Sequence, residues 1–78
     1  MNVIVYSTKT CPYCVMLKDF LKEKGIEFKD FDVGADREKA REMIEKTGQQ
    51  GVPVIDIGGK VIIGFDRAAI VEALGIEE

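Results

Sequence analysis

The sequence predicts a single α/β domain over residues 1–78, built as a three-layer sandwich of a four-stranded mixed sheet and three helices. The hydrophobic patterns run in the order strand, helix, strand, helix, strand hairpin, helix, which is typical of helices covering both faces of one sheet. The strand–helix–strand start predicts a right-handed parallel unit, and the later hairpin adds an antiparallel pair. A chain of 78 residues has room for one hydrophobic core, and so we expect one domain.

The first half of the chain reads as a buried strand and an amphipathic helix. Residues 2–6 are short, apolar and rich in β-branched side chains, which predicts the strand. A polar turn follows, and a helix begins at Cys11 or Pro12 because proline is well tolerated in a first turn. Gly25 ends this helix. Its inward face is predicted to hold Cys14, Leu17 and Leu21, with Val15, Met16 and Phe20 beside it, while Lys18, Asp19, Lys22 and Glu23 face water.

The remaining elements are bounded by glycine, proline and aspartate. We expect a strand over 26–33, a helix from the cap Asp36 to Thr47 with Ala40, Met43 and Ile44 inward, a strand over 52–57, a Gly58-Gly59 turn, a strand over 60–63 and a helix over 67–74 with Ile70, Val71 and Leu74 inward. Two residues of tail follow Ile76.

Composition excludes several classes of function. The net charge is −3 with no basic block, so nucleic acid is a poor partner. The chain has no His and only two Cys, so it lacks a hydrolase pair and the ligands of a closed zinc site, and we expect no metal. No apolar run approaches the roughly 20 residues of a membrane span. The start of the chain shows no export signal, and we therefore expect a cytoplasmic location. We also expect a monomer.

Cys11 and Cys14, in the sequence Cys-Pro-Tyr-Cys, stand at the predicted junction of strand and helix. Residues at i and i+3 of a helix have Cβ atoms about 5–6 Å apart, and a disulfide needs about 3.5–4.5 Å, so this pair can close and reopen with local adjustment. Unpaired N–H groups at the helix start favour the thiolate of Cys11, and Lys9 adds positive charge. We expect Cys11 to attack a substrate disulfide and Cys14 to release the product.

Plainer interpretations of the same residues stay open at this point. The two cysteines could supply half of a zinc or iron–sulfur site, with the other ligands coming from outside the chain. Lys9 could be a solvated turn lysine. A trans Val52-Pro53 bond is the default, since about 5–6% of X-Pro bonds are cis. Phe65 could be a core side chain and Asp66 a helix N-cap.

The chain resembles a glutaredoxin of the dithiol type, within the thioredoxin-like superfamily. The resemblance covers essentially the whole sequence and rests on Tyr6 to Cys14, on Thr47-Gly48 through Val52-Pro53, and on Gly64-Phe65-Asp66. It implies a thioredoxin-like sheet in which the first strand is central and the hairpin is antiparallel to it. It also implies that Pro53 is cis and packs beside the cysteines, and that the protein is a glutathione-dependent thiol–disulfide oxidoreductase.

The resemblance further implies a glutathione groove, with glutathione as co-substrate and with disulfide-bonded or glutathionylated proteins as partners. Lys9 and Gln50 would receive the glycyl carboxylate, and Tyr13 would flank the ligand. The backbone of Val52 would pair with the cysteinyl part, beside Pro53. Phe65 and Asp66 would hold the γ-glutamyl end.

Some positions depart from the usual glutaredoxin pattern. The family loop usually reads Thr-Val-Pro after a basic residue, where this chain has Gln50-Gly51, and Ile63 replaces the first of two glycines. These departures motivate an alternative: a redoxin recharged by thioredoxin reductase that donates electrons to ribonucleotide reductase. A second alternative is a glutathione-assisted iron–sulfur cluster carrier, which Pro12 disfavours because it stiffens the motif.

Overall fold

The computed structural model describes residues 2–76, so Met1 and the last two residues of the predicted tail 76–78 lie outside the described residues. It contains all seven predicted elements in the predicted order: β1 Val3–Ser7, α1 Pro12–Glu23, β2 Lys29–Asp32, α2 Arg37–Thr47, β3 Val54–Ile57, β4 Lys60–Ile63 and α3 Arg67–Leu74. Across these residues, no helix has the length and the apolar run that crossing a bilayer requires.

The four strands form one mixed sheet in the order β2-β1-β3-β4. Strand β1 pairs in parallel with β2, placing Tyr6 opposite Phe31. It pairs antiparallel with β3, placing Tyr6 opposite Val54, and β4 continues the antiparallel pairing with Ile63 opposite Val54. The mixed sheet and the central position of the first strand are therefore confirmed.

Alternation along the strands divides the core into two layers, because neighbouring side chains of a strand point to opposite faces. One face carries Val5 and Ile55 against α1 and α3, in a cluster that includes Leu17 and Ile70. The opposite face carries a smaller cluster of Tyr6, Val54 and Met43 of α2. Two helices thus cover one face and one helix covers the other, which confirms the three-layer sandwich.

The boundaries of three strands differ from prediction. Strand β1 is shifted by one residue to Val3–Ser7, and β3 begins at Val54 rather than at residue 52. Strand β2 has only the four residues Lys29–Asp32, and Ile26 instead follows the C-terminus of α1: its N–H donates to the Leu21 carbonyl (2.9 Å) just after the left-handed Gly25. Such a bond is the usual way to close a helix, and it turns Ile26 into the core without strand pairing.

The side-chain prediction for the helices was partly wrong. Val15 and Met16 are 50% and 49% exposed, because the buried stripe of α1 follows Cys14, Leu17, Phe20 and Leu21 and leaves these two on the outer side. Ile44 of α2 is likewise exposed. Lys18 was expected to face water, yet its side chain is only 24% exposed because it folds against the sheet.

A buried polar network fastens α2 to the sheet. The hydroxyl of Tyr6 donates to the Glu42 carboxylate, and the Lys46 ammonium donates to the Tyr6 hydroxyl and to Asp56 Oδ2, each at 2.7 Å. Tyr6 and Asp56 are both buried. Burial by itself would raise the pKa of Asp56, but hydrogen bonds from Lys46 and from the Gly59 N–H outweigh it and hold that pKa below its usual value.

We predict that Lys46→Met lowers the free energy of unfolding by about 1–3 kcal/mol at neutral pH, because it removes the cation from a buried carboxylate. The lowered pKa of Asp56 means that its ion pair stabilises the fold above about pH 4 and is lost as the pH falls further. Urea unfolding should therefore show a smaller difference between variant and wild type near about pH 3. Lys60→Met, at an exposed lysine of β4, is the matched control. An equal loss at both pH values would contradict the electrostatic explanation.

Candidate functional site

Three motifs of the sequence meet at one end of the sheet. Because β3 runs antiparallel to β1 and β4, the end of β1, the start of β3 and the end of β4 lie side by side. The Gly64 N–H donates to the Pro53 carbonyl at 2.7 Å and so joins the second motif to the third. The loop after β1 carries the cysteines into the same region.

Cys11 is the N-cap of α1, and Pro12 is the first residue of the helix. The backbone of Cys11 is extended, with φ −102° and ψ 106°, so its side chain turns back over the open helix end. Its Sγ accepts a hydrogen bond from the Cys14 N–H at 3.1 Å. That bond satisfies one of the open N–H groups of the first turn, and it places the sulfur at the positive end of the helix dipole.

The two thiols differ sharply in access to solvent. Both are free in the structure, with Cys11 half-buried and Cys14 fully buried. Burial, followed by a hydrogen bond with Cys11 and by negative charge there, raises the pKa of Cys14 to about 12. The backbone of Thr8 and the charge of Lys18 act in the opposite direction. Cys14 is therefore held as a neutral thiol, and Cys11 is the sulfur that a substrate can reach.

The peptide bond between Val52 and Pro53 is cis, as the family resemblance implied. Pro53 is buried, and Val52 packs against the core cluster on the α2 face. The loop before them is held by Gln49, whose amide accepts from the Gly51 N–H and donates to the Gly51 carbonyl (3.0 Å). A Cβ at residue 51 would lie 2.6 Å from Gln49 Oε1, so the glycine makes room for this clamp.

The residues of the Gly64-Phe65-Asp66 turn have structural roles: Gly64 allows the turn, Phe65 is a core side chain and Asp66 is a helix N-cap. Gly64 has φ +82°, a left-handed conformation that glycine adopts readily. The Phe65 ring lies 5.9 Å from the ring of Phe20 and packs on the core. Asp66 caps α3, with Oδ1 accepting from the Ala69 N–H at 3.2 Å. The groups of this turn that a ligand could contact are therefore its backbone and the exposed carboxylate of Asp66.

Lys9, Tyr13 and Gln50 are all exposed, and the Tyr13 side chain is 63% exposed. Lys9 lines an open cavity of about 420 Å³ between the loop before α1 and the loop before α2, together with Thr8, Thr10, Asp32, Gly34 and Ala35. The other expected groove residues, Tyr13, Gln50, Val52, Pro53, Phe65 and Asp66, are not in the lining of this cavity. Lys9 is therefore the one predicted groove residue that lines it.

One charged cluster beside the cysteines was missed by sequence reasoning. Lys18 Nζ lies 2.9 Å from Asp30 Oδ2 and 3.5 Å from Ser7 Oγ, and Ser7 Oγ donates to Asp30 Oδ1 at 2.7 Å. The available signal was that Lys18 follows Cys14 by four residues, which places both on one side of a helix. Within residues 2–76, no three His, Cys, Asp or Glu side chains are grouped so that they could hold a metal ion.

Comparison with known proteins gives a consistent family. A sequence profile described as Glutaredoxin matches residues 3–62. The "Uncharacterized glutaredoxin-like 8.6 kDa protein in rubredoxin operon" of Clostridium pasteurianum is 47% identical over 66 residues, which cover 85% of this chain and 88% of that protein.

Two solved structures share the fold. The T8A mutant of the thioredoxin-like protein BC3987 superposes with a TM-score of 0.93 at 30% identity and covers 97% of both chains. A buckwheat glutaredoxin–glutathione complex superposes with a TM-score of 0.75 at 26% identity, covering 95% of this chain and 70% of that chain. The profile match and these likenesses show that the chain belongs to the glutaredoxin family of thiol–disulfide oxidoreductases and has its thioredoxin-like fold.

Proposed function

We propose that Cys11 and Cys14 form a redox-active dithiol that reduces glutathione mixed disulfides and protein disulfides, with glutathione as the reductant. The observation that carries this proposal is the contrast between the two sulfurs. Cys11 caps a helix start and is accessible, whereas Cys14 is buried and held as a thiol three residues later. We also propose a cytoplasmic location, because the cycle needs a compartment that keeps thiols reduced.

The first step is attack by the Cys11 thiolate on the glutathione sulfur of a glutathionylated protein. A bond forms between Cys11 Sγ and that sulfur, and the substrate protein leaves as a thiolate that takes up a proton. The hydrogen bond from the Cys14 N–H stabilises Cys11 as the attacking anion. Pro12 supports this geometry because it fixes the first residue of the helix beyond the cap.

The second step has two routes. A glutathione thiolate can attack the glutathionyl sulfur on Cys11, which forms glutathione disulfide and regenerates the Cys11 thiolate. Alternatively, Cys14 loses its proton and attacks Cys11 Sγ, which forms the Cys11–Cys14 disulfide and releases the bound thiol. The reduction of a protein disulfide depends on this second route, since a substrate bonded to Cys11 must be released by Cys14.

Binding of glutathione needs a cation for its carboxylates and acceptors for its ammonium group. Lys9 offers an exposed cation in the lining of a cavity beside the cysteine loop, and the exposed Gln50 would bind the same glycyl carboxylate. Tyr13 would flank the ligand, and the backbone of Val52, next to the buried Pro53, would pair with the cysteinyl part. Phe65 and the exposed carboxylate of Asp66, at the start of α3, would hold the γ-glutamyl end. The buckwheat glutaredoxin, which is solved as a complex with glutathione, supports glutathione as the ligand.

We predict that Cys11→Ser lowers turnover by at least about a hundredfold with every disulfide substrate, because a hydroxyl cannot replace the attacking thiolate. Cys14→Ser should retain release of glutathione from a glutathionylated peptide within about threefold, since that route uses one protein thiol, and should lose reduction of a protein disulfide. Both activities are measured by coupled turnover. An inactive Cys14→Ser beside an active Cys11→Ser would reverse the assignment.

We predict that Asp66→Asn raises the KM for a glutathionylated peptide about three- to tenfold and leaves kcat unchanged, because it removes a charge that would bind the γ-glutamyl ammonium. Asparagine also caps helices well, so α3 should stay intact. The matched control is Asp36→Asn, since Asp36 caps α2 with the same 3.2 Å bond, from the Lys39 N–H. Equal effects of the two substitutions would show that only capping was disturbed.

A redoxin recharged by thioredoxin reductase, with ribonucleotide reductase as electron acceptor, is the second candidate. It is favoured by the departures at Gln50, Gly51 and Ile63 and by the extent of the likeness to a thioredoxin-like protein. If glutathione is the reductant, disulfide turnover should be sustained by glutathione with glutathione reductase and not by thioredoxin reductase alone. Turnover with the flavoprotein reductase only would replace the first candidate by the second.

A further inference from the structure

We propose that Lys18 is a positioning residue for the second half of the exchange: its ammonium, anchored between two strands by Asp30 and Ser7, stabilises the Cys14 thiolate as that sulfur attacks Cys11. This inference rests on the proposed role of Cys14 in releasing the product. It assigns a function to a polar cluster that the attack by Cys11 does not use.

The anchoring of Lys18 is well defined. Its ammonium lies 2.9 Å from Asp30 of β2 and 3.5 Å from Ser7 at the end of β1. Ser7 is buried and donates a third bond, of 2.7 Å, to the same carboxylate. A lysine free on the surface would sample many rotamers, whereas the Lys18 side chain is held against the sheet, one helical turn after Cys14.

Cys14 needs such a charge because its surroundings oppose ionisation. The thiol is fully buried, and its pKa is raised to about 12 by burial and by Cys11. Among the described residues that act on this thiol, the helix contributes Cys11 and Lys18, and the loop after β1 contributes the Thr8 backbone. Ser7 and Asp30 hold the Lys18 ammonium, and Asp30 is the negative charge paired with it. Lys18 is thus the charged side chain that favours the Cys14 anion.

The balance of charges changes during the reaction. Once Cys11 is bonded to a substrate sulfur, its negative charge is gone, and the field of Lys18 at Cys14 is no longer opposed by it. Cys14 then loses its proton and forms a bond to Cys11 Sγ, the bond between Cys11 and the substrate sulfur breaks, and the leaving thiolate takes up a proton. Lys18 stays protonated throughout and acts only through its charge.

The step can be isolated with 5,5′-dithiobis(2-nitrobenzoate) in equimolar amount to the reduced protein. Attack by Cys11 releases one coloured thiolate and leaves a mixed disulfide, and attack by Cys14 then releases the second. Stopped-flow absorbance therefore records the two steps as separate phases, with no glutathione present. Absence of a first phase in the wild type would argue against the nucleophile of the proposed function and would leave Lys18 without a reaction to assist.

Lys18→Gln should slow the second phase about two- to fourfold at neutral pH and shift its pH profile upward. A rise of about 0.5–1 in the pKa of Cys14 reduces its thiolate fraction about three- to tenfold, and the greater nucleophilicity of a more basic thiolate recovers part of that loss. The first phase should change by less than the second. Lys18→Arg, which keeps the charge, should restore both the rate and the pH profile.

Three comparisons separate this role from simple support of the fold. Lys22→Gln, at an exposed lysine one turn further along α1, should leave both phases unchanged. In a Cys14→Ser background, Lys18→Gln should leave the remaining phase unchanged, because the proposed effect passes through Cys14. Lys18→Met is a second neutral variant, and thermal unfolding identifies any variant that has lost its fold. Equal slowing of both phases, or an unshifted pH profile of the second phase in a folded neutral variant, would overturn the proposal.

Discussion

The hydrogen bond from the Cys14 N–H to Cys11 Sγ is the interaction around which the rest of the site is arranged. It requires an extended residue at the cap of α1 and a helical residue three positions later, and both sulfurs are thereby fixed relative to the same helix end. Cys11 is half-buried and Cys14 is enclosed by the core. The same short segment thus creates two thiols that differ in their access to solvent.

The sheet determines what surrounds that helix end. Tyr6, Val54 and Ile63 lie in one row across three strands, so the residues just beyond them emerge together at one edge. On the other side of β1, pairing with β2 places Asp30 opposite Val5 and brings its carboxylate to Ser7 and Lys18. In the function proposed above, the two neighbours of β1 would therefore serve different parts of the site, β3 the ligand and β2 the buried thiol.

Sequence patterns predicted most of the fold and the position of the two cysteines at the start of α1, because both depend on local periodicity and spacing. Every helix began and ended within a residue or two of its prediction, since Asp36, Gly25 and Gly48 mark those boundaries chemically. The exposure of Met16 and the packing of the Lys18 side chain against the sheet could not be predicted from the sequence. Both depend on which strand lies beneath the helix, and the 3.6-residue periodicity of the helix does not specify that strand.

The loop before Pro53 shows how a departure from a family pattern can leave its geometry intact. Gly51 stands where the family usually has threonine, and the structure fills that space with the amide of Gln49, which bonds to both backbone groups of residue 51. The loop that leads to Val52 is therefore held in place by Gln49, although the threonine side chain of the family is absent. Ile63 differs in kind, since it is 52% exposed at the end of β4 and changes the surface rather than the backbone. Of the departures that favour a different reductant, the exposed Gln50 and Ile63 therefore change the surface that an approaching protein or thiol would meet.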